Sequence, residues 1–521
     1  FSGVNMIRSQ LILSTCLLLL SQVSAICAQE NYVSHELLRE NNWGTLSAED
    51  MNGDGKKDLI YSHHDAAIGR ELRIHHQQDD GTFSANPQRI EIKTEIIGVG
   101  FADLRKDPGK EIILLASAGA FSLSTAIDGY AGNVEQLVQW DLVAAVPDRE
   151  DLQFLNDIED INNDGYVDLI LPGKESYGIF FGDENGSFKL NSAITTFDEN
   201  LLLAQRNNRQ ADFDARIGIN SKDGIRVELK VERPTPFEDF VESWKPKSSD
   251  SRALLRNEAW MPSLLLAELN GDKLKDLIYL NVNDEGEGQI NIHYQSETGF
   301  NSAPDWQAAI DTRGTIKLAD INGDGIQDIY RLIGDGNEWD ARFYVNDDGR
   351  FELSQPSQIM RFSGYDVRLN FVKLKSEGEL VLNVSYYSIP VVDAIRNASI
   401  KRTQLIYPFS FVESGPFYER RPSTLFEETF SATNVRGLSE QMSLQYDVDG
   451  DGSKDALYVT EKGTLAAKRI DSSFQFSDDP FWEYTSPRTV FEFEVLPLNS
   501  DDKPDLILRH GTTTTLLVAS P

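Results

Sequence analysis

The chain has 521 residues, enough for one large repeat architecture or for two to four domains of average size. Its 83 acidic and 49 basic side chains give a formal net charge of −34, which disfavours nucleic acid and anionic membrane surfaces as partners because both would repel the protein. Cations are the natural partners of such a chain, although an acidic surface that serves solubility explains the same excess.

The N-terminal segment has the pattern of a secretory signal peptide. Arg8 gives it a basic start, residues 11–20 form an apolar run, and small and polar residues follow up to residue 28. We therefore predict a signal peptide over residues 1–28, with extra residues before Met6, and a secreted, cell-surface or periplasmic protein. The apolar run is too short for a transmembrane anchor, which needs roughly 20 residues.

Two cysteines, Cys16 and Cys27, lie in or beside this leader. The mature chain is therefore expected to contain no disulfide. Lipid modification of Cys27 is an alternative, but Ile26 stands where a lipoprotein signal has a small residue. We expect stability to come from the core and from bound metal.

A nine-residue phrase recurs along the rest of the chain. Intact copies start at residues 50, 160, 320 and 447, with an acid at position 1, Asn or Asp at 3, Asp at 5, Gly at 6 and Asp at 9. A fifth copy starts at Glu268 and keeps the oxygen-bearing positions, but Lys273 occupies its position 6. Worn copies start at residues 103 and 497, and fainter ones near 212 and 373.

The spacing of these copies predicts a propeller. Successive starts lie about fifty residues apart, and a Gly-x-Phe or Gly-Phe turn, as at Gly81, follows several of them about thirty residues later. Each period holds about four short apolar runs, the content of one blade. We predict an all-β chain, a β-propeller of seven to nine four-stranded blades with eight as the central number, and calcium loops between the first and second strands of intact blades.

The predicted propeller is a single domain over residues 29–521. Two stretches depart most from the repeat, residues 212–267 and 373–446, and these are candidate insertions that decorate the rim. A spare strand near His35, together with two strands after the last copy, suggests that the two chain ends complete one blade. Such closure would remove an exposed sheet edge.

The phrase has the chemistry of a cation loop. Calcium prefers six to eight oxygen ligands, which a tight loop supplies from side chains at positions 1, 3 and 5, a carbonyl at 7 and a further carboxylate. Glycine at position 6 permits the sharp reversal that returns position 9 to the ion. An EF-hand would need Glu at position 12, which is Tyr61, Leu171, Arg331 or Tyr458 in the intact copies. Ordinary Asp/Asn/Gly turns are the structural alternative.

The candidate metal ligands follow from these positions, with position 7 contributing its backbone carbonyl. They are Asp50, Asn52, Asp54, Lys56 and Asp58; Asp160, Asn162, Asp164, Tyr166 and Asp168; Glu268, Asn270, Asp272, Leu274 and Asp276; Asp320, Asn322, Asp324, Ile326 and Asp328; and Asp447, Asp449, Asp451, Ser453 and Asp455.

On these residues the chain resembles the FG-GAP or VCBS repeats, the type found in the propeller of integrin α chains and in many secreted bacterial proteins. The resemblance rests on the Asp-x-Asn-x-Asp-Gly-x-x-Asp-Leu phrase and the later Gly-x-Phe turn, and it covers most of the chain after the leader. It implies one calcium ion per intact loop, about four to five ions, held on the blade edge between the first two strands. It does not extend to the loops at 103, 212, 373 and 497.

Other chemistry is weakly indicated. The sequence contains no His-Glu-x-x-His, Gly-x-Ser-x-Gly or phosphate-loop motif. The pairs His63-His64 and His75-His76 could form a transition-metal site. If the hairpin places His64 opposite Glu71, however, the pairs sit at opposite ends of the ladder, and exposed strand histidines are the favoured interpretation.

Three functions are compatible with these features. The leading hypothesis is a non-catalytic, monomeric recognition or adhesion module that binds a glycan or an extracellular protein through loops rigidified by calcium. The second is a secreted, calcium-assisted enzyme of the polysaccharide-lyase kind, which would need a base and a cationic side chain near a calcium site. The third is a structural subunit of a cell-surface assembly.

Overall fold

The computed structural model describes most of the chain after the leader. The described residues are 32–38, 46–65, 67–125, 133–142, 152–154, 158–173, 176–195, 264–282, 287–311, 315–335, 337–375, 379–388, 399–410, 417–431, 442–490, 492–499, 501, 503–510 and 513–519. They contain no helix, and hence none that could cross a membrane. The predicted signal peptide and the faint copy near residue 212 lie outside these ranges.

The strands form eight blades, in agreement with the central prediction. The first strand, β1 (Tyr32–Leu38), belongs to the last blade. Blade one contains β2 (Leu46–Glu49), β3 (Asp58–Asp65), β4 (Gly69–His75) and β5 (Gln88–Ile92). Blade two contains β6 (Ile96–Ala102), β7 (Glu111–Ala116), β8 (Gly119–Leu123) and β9 (Val134–Gln139), with β10 (Gln153–Phe154) added parallel to β6.

Blades three to five follow the same antiparallel order. Blade three has β11 (Leu169–Pro172), β12 (Tyr177–Gly182) and β13 (Phe188–Ile194), and a bridge from Glu159 to Asp168 takes the place of its first strand. Blade four has β14 (Leu264–Ala267), β15 (Asp276–Val282), β16 (Gly288–His293), the small hairpin β17 (Gln295–Ser296) and β18 (Gly299–Phe300), and β19 (Trp306–Ile310). Blade five has β20 (Thr315–Ala319), β21 (Asp328–Asp335), β22 (Glu338–Tyr344), the hairpin β23 (Asn346–Asp347) and β24 (Arg350–Phe351), and β25 (Gln358–Ser363).

The last three blades include the longest strands. Blade six has β26 (Tyr365–Lys373), β27 (Leu380–Ser388), β28 (Ser399–Pro408) and β29 (Thr424–Ser431). Blade seven has β30 (Ser443–Tyr446), β31 (Asp455–Val459), β32 (Leu465–Lys468) and β33 (Trp482–Tyr484). Blade eight has β34 (Glu492–Val495), β35 (Leu506–Arg509) and β36 (Thr513–Ala519), and β1 is its outer strand.

The two stretches predicted as insertions contain strands of different blades. Residues 264–267 of the first stretch form β14, and the rest of 212–267 lies outside the described residues. The described part of 373–446 contains Lys373 at the end of β26, the second to fourth strands of blade six, β27 to β29, and the first strand of blade seven, β30. The faint copy near residue 373 therefore begins at the end of β26.

The ring closes through the two ends of the chain. β1 pairs antiparallel with β36, from Tyr32 opposite Ala519 to Leu38 opposite Thr513, so each end supplies strands to one blade. Leu516 and Val518 of β36 then pack against Leu59 and Phe83 of blade one in a shared apolar core. This seam joins the last blade to the first and covers apolar faces that would otherwise meet water.

Candidate functional site

The recurring phrases form loops at one end of the propeller. In an antiparallel blade the connection between strands one and two shares an end with the connection between strands three and four. Loops one, three, four, five and seven, named by their blades, carry the five good phrases. Neighbouring loops touch: the backbone N–H of Lys110 in blade two donates to the carbonyl of Asp50 at 2.9 Å, and that of Gln327 to the carbonyl of Glu268 at 3.1 Å.

The acid at position 1 is pinned by backbone groups of its own loop. In loop one, the Asp50 carboxylate accepts the N–H of Gly53 at 2.7 Å and that of Gly55 at 2.8 Å. In loop seven, Asp447 accepts the corresponding N–H groups of Gly450 and Gly452, both at 2.7 Å. The same side chain therefore takes the same orientation in separate copies of the loop.

Positions 3, 5 and 7 form a chain of short bonds. In loop three, Oδ1 of Asn162 accepts the N–H of Asp164 at 2.9 Å, and Oδ1 of Asp164 accepts the N–H of Tyr166 at 2.9 Å. The position 5 carboxylate likewise accepts the N–H of position 7 in the other four loops, from Lys56, Leu274, Ile326 and Ser453. The turn thus holds the side chains of positions 3 and 5 side by side.

The backbone at position 6 explains the glycine. Gly55, Gly165, Gly325 and Gly452 have φ between 83° and 93°, which L-residues with a Cβ rarely adopt. Loop four has Lys273 at this position with φ of 72°. The fifth copy therefore makes the same reversal in a less favourable way.

The acid at position 9 is buried and connects the loop to its blade. Asp328 is fully buried; Oδ2 accepts the N–H of Ile321 at 2.8 Å, and Oδ1 accepts the N–H of Asn346 at 2.7 Å. Asp58, Asp168 and Asp276 make the same pair of bonds, with Gln77, Gly182 and Gln295 as the second donors. Position 9 thus ties the loop to the residue near the end of the third strand.

The worn loops preserve this anchor, which the sequence interpretation did not single out. Asp505 accepts the N–H groups of Leu498 and Ala519, both at 2.6 Å, and Glu111 accepts that of Leu104 at 2.7 Å. The signal was present in the sequence, since position 9 stays acidic where position 3 has changed to Arg105 in one worn copy and position 1 to Pro497 in the other. An acid at position 9 therefore has a structural role even in a loop with an incomplete ligand set.

Burial makes the carboxylates of Asp168, Asp276, Asp328 and Asp455, all at position 9, costly to ionise. Desolvation raises the pKa of Asp168 to about 6 and the pKa of Asp276, Asp328 and Asp455 to about 7, against the pull of backbone N–H donors and with a further rise from loop carboxylates nearby. A bound cation would favour the ionised form of each group. The donor set is all oxygen, which suits a hard divalent cation such as calcium.

Loop seven brings three carboxylates close together. One oxygen from each of Asp447, Asp449 and Asp455 lies within 4.8 Å of the others. Asp449 occupies position 3, where the other four loops have Asn, and it accepts a hydrogen bond from Nε of Arg469 at 3.1 Å. The arginine therefore balances the extra negative charge of this loop.

Loop two has a cationic side chain in place of one oxygen ligand. Arg105 takes position 3, and its guanidinium donates to Oδ1 of Asn133 at 3.1 Å and to Ser122. Asp107, at position 5, accepts a hydrogen bond from the hydroxyl of Ser124. A guanidinium and a hydroxyl group thus bond to polar side chains of this loop, while Oε1 of Glu111 at position 9 is buried without a hydrogen-bond partner among the described residues.

The histidine pairs differ from expectation. His63 and His75 are buried, 3% and 4% exposed, so the interpretation as exposed strand histidines was wrong for both. His63 faces Glu71, while His64 faces Arg70, one residue away from the predicted register. The two pairs do lie at opposite ends of the β3–β4 ladder.

His75 contacts residues of its own blade. Its ring stacks on Tyr61 and lies within hydrogen-bonding distance of the Tyr61 hydroxyl, 3.3 Å, and the Ser84 carbonyl, 2.6 Å. His293 repeats this arrangement with Tyr279 in blade four. Tyr61 belongs to the apolar core that blades one and eight share, which the alternation of side chains in one strand could not show.

Loop one has a histidine neighbour that sequence reasoning missed. Nδ1 of His76 lies 2.9 Å from Oδ2 of Asp58 at position 9, and Nε2 lies 3.1 Å from Oε1 of Gln88. The hydrogen bond to Asp58 raises the pKa of His76 above its usual value. This imidazole comes from the connection between strands three and four, which explains why the phrase alone did not reveal it.

Comparisons with known proteins give little beyond the fold. No protein-family model matches the chain, and no curated protein matches it. Among solved structures it is similar to a lectin from Agrocybe aegerita, described as recognising non-reducing terminal N-acetylglucosamine, with 13% identity, a TM-score of 0.38, and coverage of 92% of this chain and 86% of the lectin. At this TM-score nothing about the ligand of the lectin transfers to this chain.

Proposed function

We propose that this chain is a calcium-binding β-propeller of the FG-GAP or VCBS type, with one ion in each of loops one, three, four, five and seven. The observation that carries the proposal is the repetition of one side-chain arrangement in five separate loops. In loop five, for example, the position 1 carboxylate accepts a backbone N–H of its loop, and the side chains of positions 3 and 5 lie side by side. The buried acid at position 9 accepts the backbone N–H of position 2.

Charge supports a cation in these loops. Each loop concentrates several carboxylates within a few residues, and burial raises the pKa of Asp276 and Asp328 at position 9 to about 7. A divalent ion would offset both the mutual repulsion and the cost of burying an ionised carboxylate. Calcium fits better than magnesium because a flexible set of six to eight oxygens is available rather than a rigid octahedron.

We further propose that the calcium-loaded end is a recognition surface for a glycan or an extracellular protein. The loops on this end are fixed to one another from blade to blade, as by the bond from Gln327 to Glu268. Metal binding would fix them further. Variable loops on a rigid scaffold are common binding surfaces, and rigidity before binding lowers the entropic cost of holding a ligand.

The test is a ligand screen carried out with and without calcium. The purified chain is applied to a glycan array and to extracts of cell-surface proteins, once with calcium and once with chelator. Calcium-dependent binding supports the recognition role, whereas a clean negative for all ligand classes contradicts it. Unsaturated products that absorb in the ultraviolet, released from acidic polysaccharides, would favour the lyase alternative instead.

A further inference from the structure

A lysine from blade six reaches into loop five. Nζ of Lys373 lies 2.9 Å from Oδ2 of Asp320 and 3.3 Å from the carbonyl oxygen of Gly323. Asp320 is position 1 of loop five, and its side chain is 16% exposed. The same Oδ2 also accepts the N–H of Gly325 at 3.1 Å. The ammonium therefore bonds to a carboxylate oxygen that the proposed calcium site needs.

In loops one and three, a lysine at position 8 of the next blade's phrase pairs with a different acid. Lys110 of blade two forms an ion pair with Glu49 at 2.7 Å, and Lys275 of blade four forms one with Glu159. Glu49 and Glu159 immediately precede position 1 of their loops, whereas loop five has Ala319 there. In loop five the lysine thus pairs with the position 1 acid itself.

The origin of Lys373 makes the arrangement specific. It is the last residue of β26 and pairs with Leu380 of β27, as Ala319 pairs with Asp328 in blade five. Lys373 therefore stands immediately before the loop of blade six, at the place that Glu49 and Glu159 take in blades one and three. A cationic side chain at this place supplies a positive charge to loop five.

We propose that Lys373 is an internal counter-ion that competes with calcium for Asp320, so that loop five binds calcium more weakly than loop three. The inference rests on the proposed calcium function. An ammonium in contact with a ligand oxygen must move away or stay beside a divalent ion of like sign. At such distances this repulsion lowers the calcium affinity of loop five by about tenfold, even with the screening expected at a half-exposed site.

The test measures calcium affinities of the full chain by competition with a chromophoric chelator. Lys373→Met removes the charge and keeps much of the side-chain volume. It should tighten one site by about tenfold and leave the number of sites unchanged. In the double variant Lys373→Met/Asp324→Asn, which removes a ligand of loop five, the tightened site should disappear. Lys462→Met is the control, since it removes the same charge from an exposed turn at the opposite end of blade seven.

A second measurement uses the protein without metal. In chelator, Lys373→Met should lower the melting temperature because the loop five carboxylates lose their internal cation, whereas Lys462→Met should leave it unchanged. Unchanged calcium affinities in Lys373→Met, or the loss of a site, would overturn the role of Lys373 while leaving the calcium function standing. The absence of calcium binding in the unmodified chain would instead refute the proposed function, and this inference with it.

Discussion

Asp164→Asn separates the metal-ligand role of position 5 from its structural role. In loop three, Oδ1 of Asp164 accepts the N–H of Tyr166 at 2.9 Å, and Oδ2 accepts a hydrogen bond from Nδ2 of Asn162 at 3.1 Å. Asparagine has the same shape and can keep the bond to Tyr166, so the change chiefly removes one negative charge. The bond from Asn162 is the smaller loss, because both groups are exposed.

The expected effect depends on the solvent. In chelator the variant should be neutral or slightly stabilised, since Asp164 is one of the charges that raise the pKa of Asp168. With calcium at a hundred times its dissociation constant, one site stabilises the native state by about 2.7 kcal/mol. An unfolding entropy of about 2.1 cal/mol/K per residue converts this into a loss of roughly 3 °C in melting temperature for a chain of this size.

Differential scanning calorimetry in calcium and in chelator measures both values. Asp183→Asn is the matched control: Asp183 lies in the same blade and accepts the N–H of Asn185 at 2.8 Å, but it is outside the phrase. The control should melt alike in the two solvents. Equal destabilisation of Asp164→Asn with and without calcium would refute the reasoning, because the aspartate would then act through hydrogen bonds alone.

Three further predictions concern the scaffold. Gly55→Ala should lower the unfolding free energy in chelator by about 1 kcal/mol, because the φ of 83° is strained for alanine although the added Cβ would meet no atom within 4 Å. Lys273→Ala, at the same position of loop four, should change the unfolding free energy little. Thermal melts measure both. Burial raises the pKa of Glu111 from 4.5 to about 7, so the folded state favours the protonated acid and loses stability as pH rises through this range. Glu111→Gln should remove up to about 3 kcal/mol of that loss. Thermal melts should show the variant more stable than the parent at pH 8 and not at pH 5. Leu516→Ala, at a fully buried site in the seam between blades eight and one, should cost about 2–5 kcal/mol in denaturant unfolding, and an unchanged midpoint would argue against a closed ring.

The repeat made the scaffold predictable from sequence. Copies of one phrase at a nearly constant spacing specify blades whatever the other residues are, and the glycine at position 6 marks the backbone reversal found at Gly55. The spare N-terminal strand was also readable, because the last copy is followed by too few strands for a blade. The structure places this strand at Tyr32–Leu38, opposite Thr513–Ala519.

Features that depend on a neighbouring blade were not predictable. The ion pair of Lys373 with Asp320 joins residues of two blades, and Tyr61 packs in a core shared with blade eight. Contacts within one blade can be hidden as well: the sequence gives no hint that Asp58 meets His76, which lies 18 residues further along the chain. A pattern read along one strand specifies its own faces, not the atoms that cover them.

The central claim is that carboxylates from a recurring turn gather around divalent ions. Elemental analysis of the pure chain tests this most directly, after exhaustive dialysis against a buffer that contains a small known concentration of calcium and no other divalent metal, with the calcium of the dialysis buffer subtracted. The account predicts four to five tightly held calcium ions per chain, and one fewer in Asp164→Asn. Less than one ion per chain would contradict it.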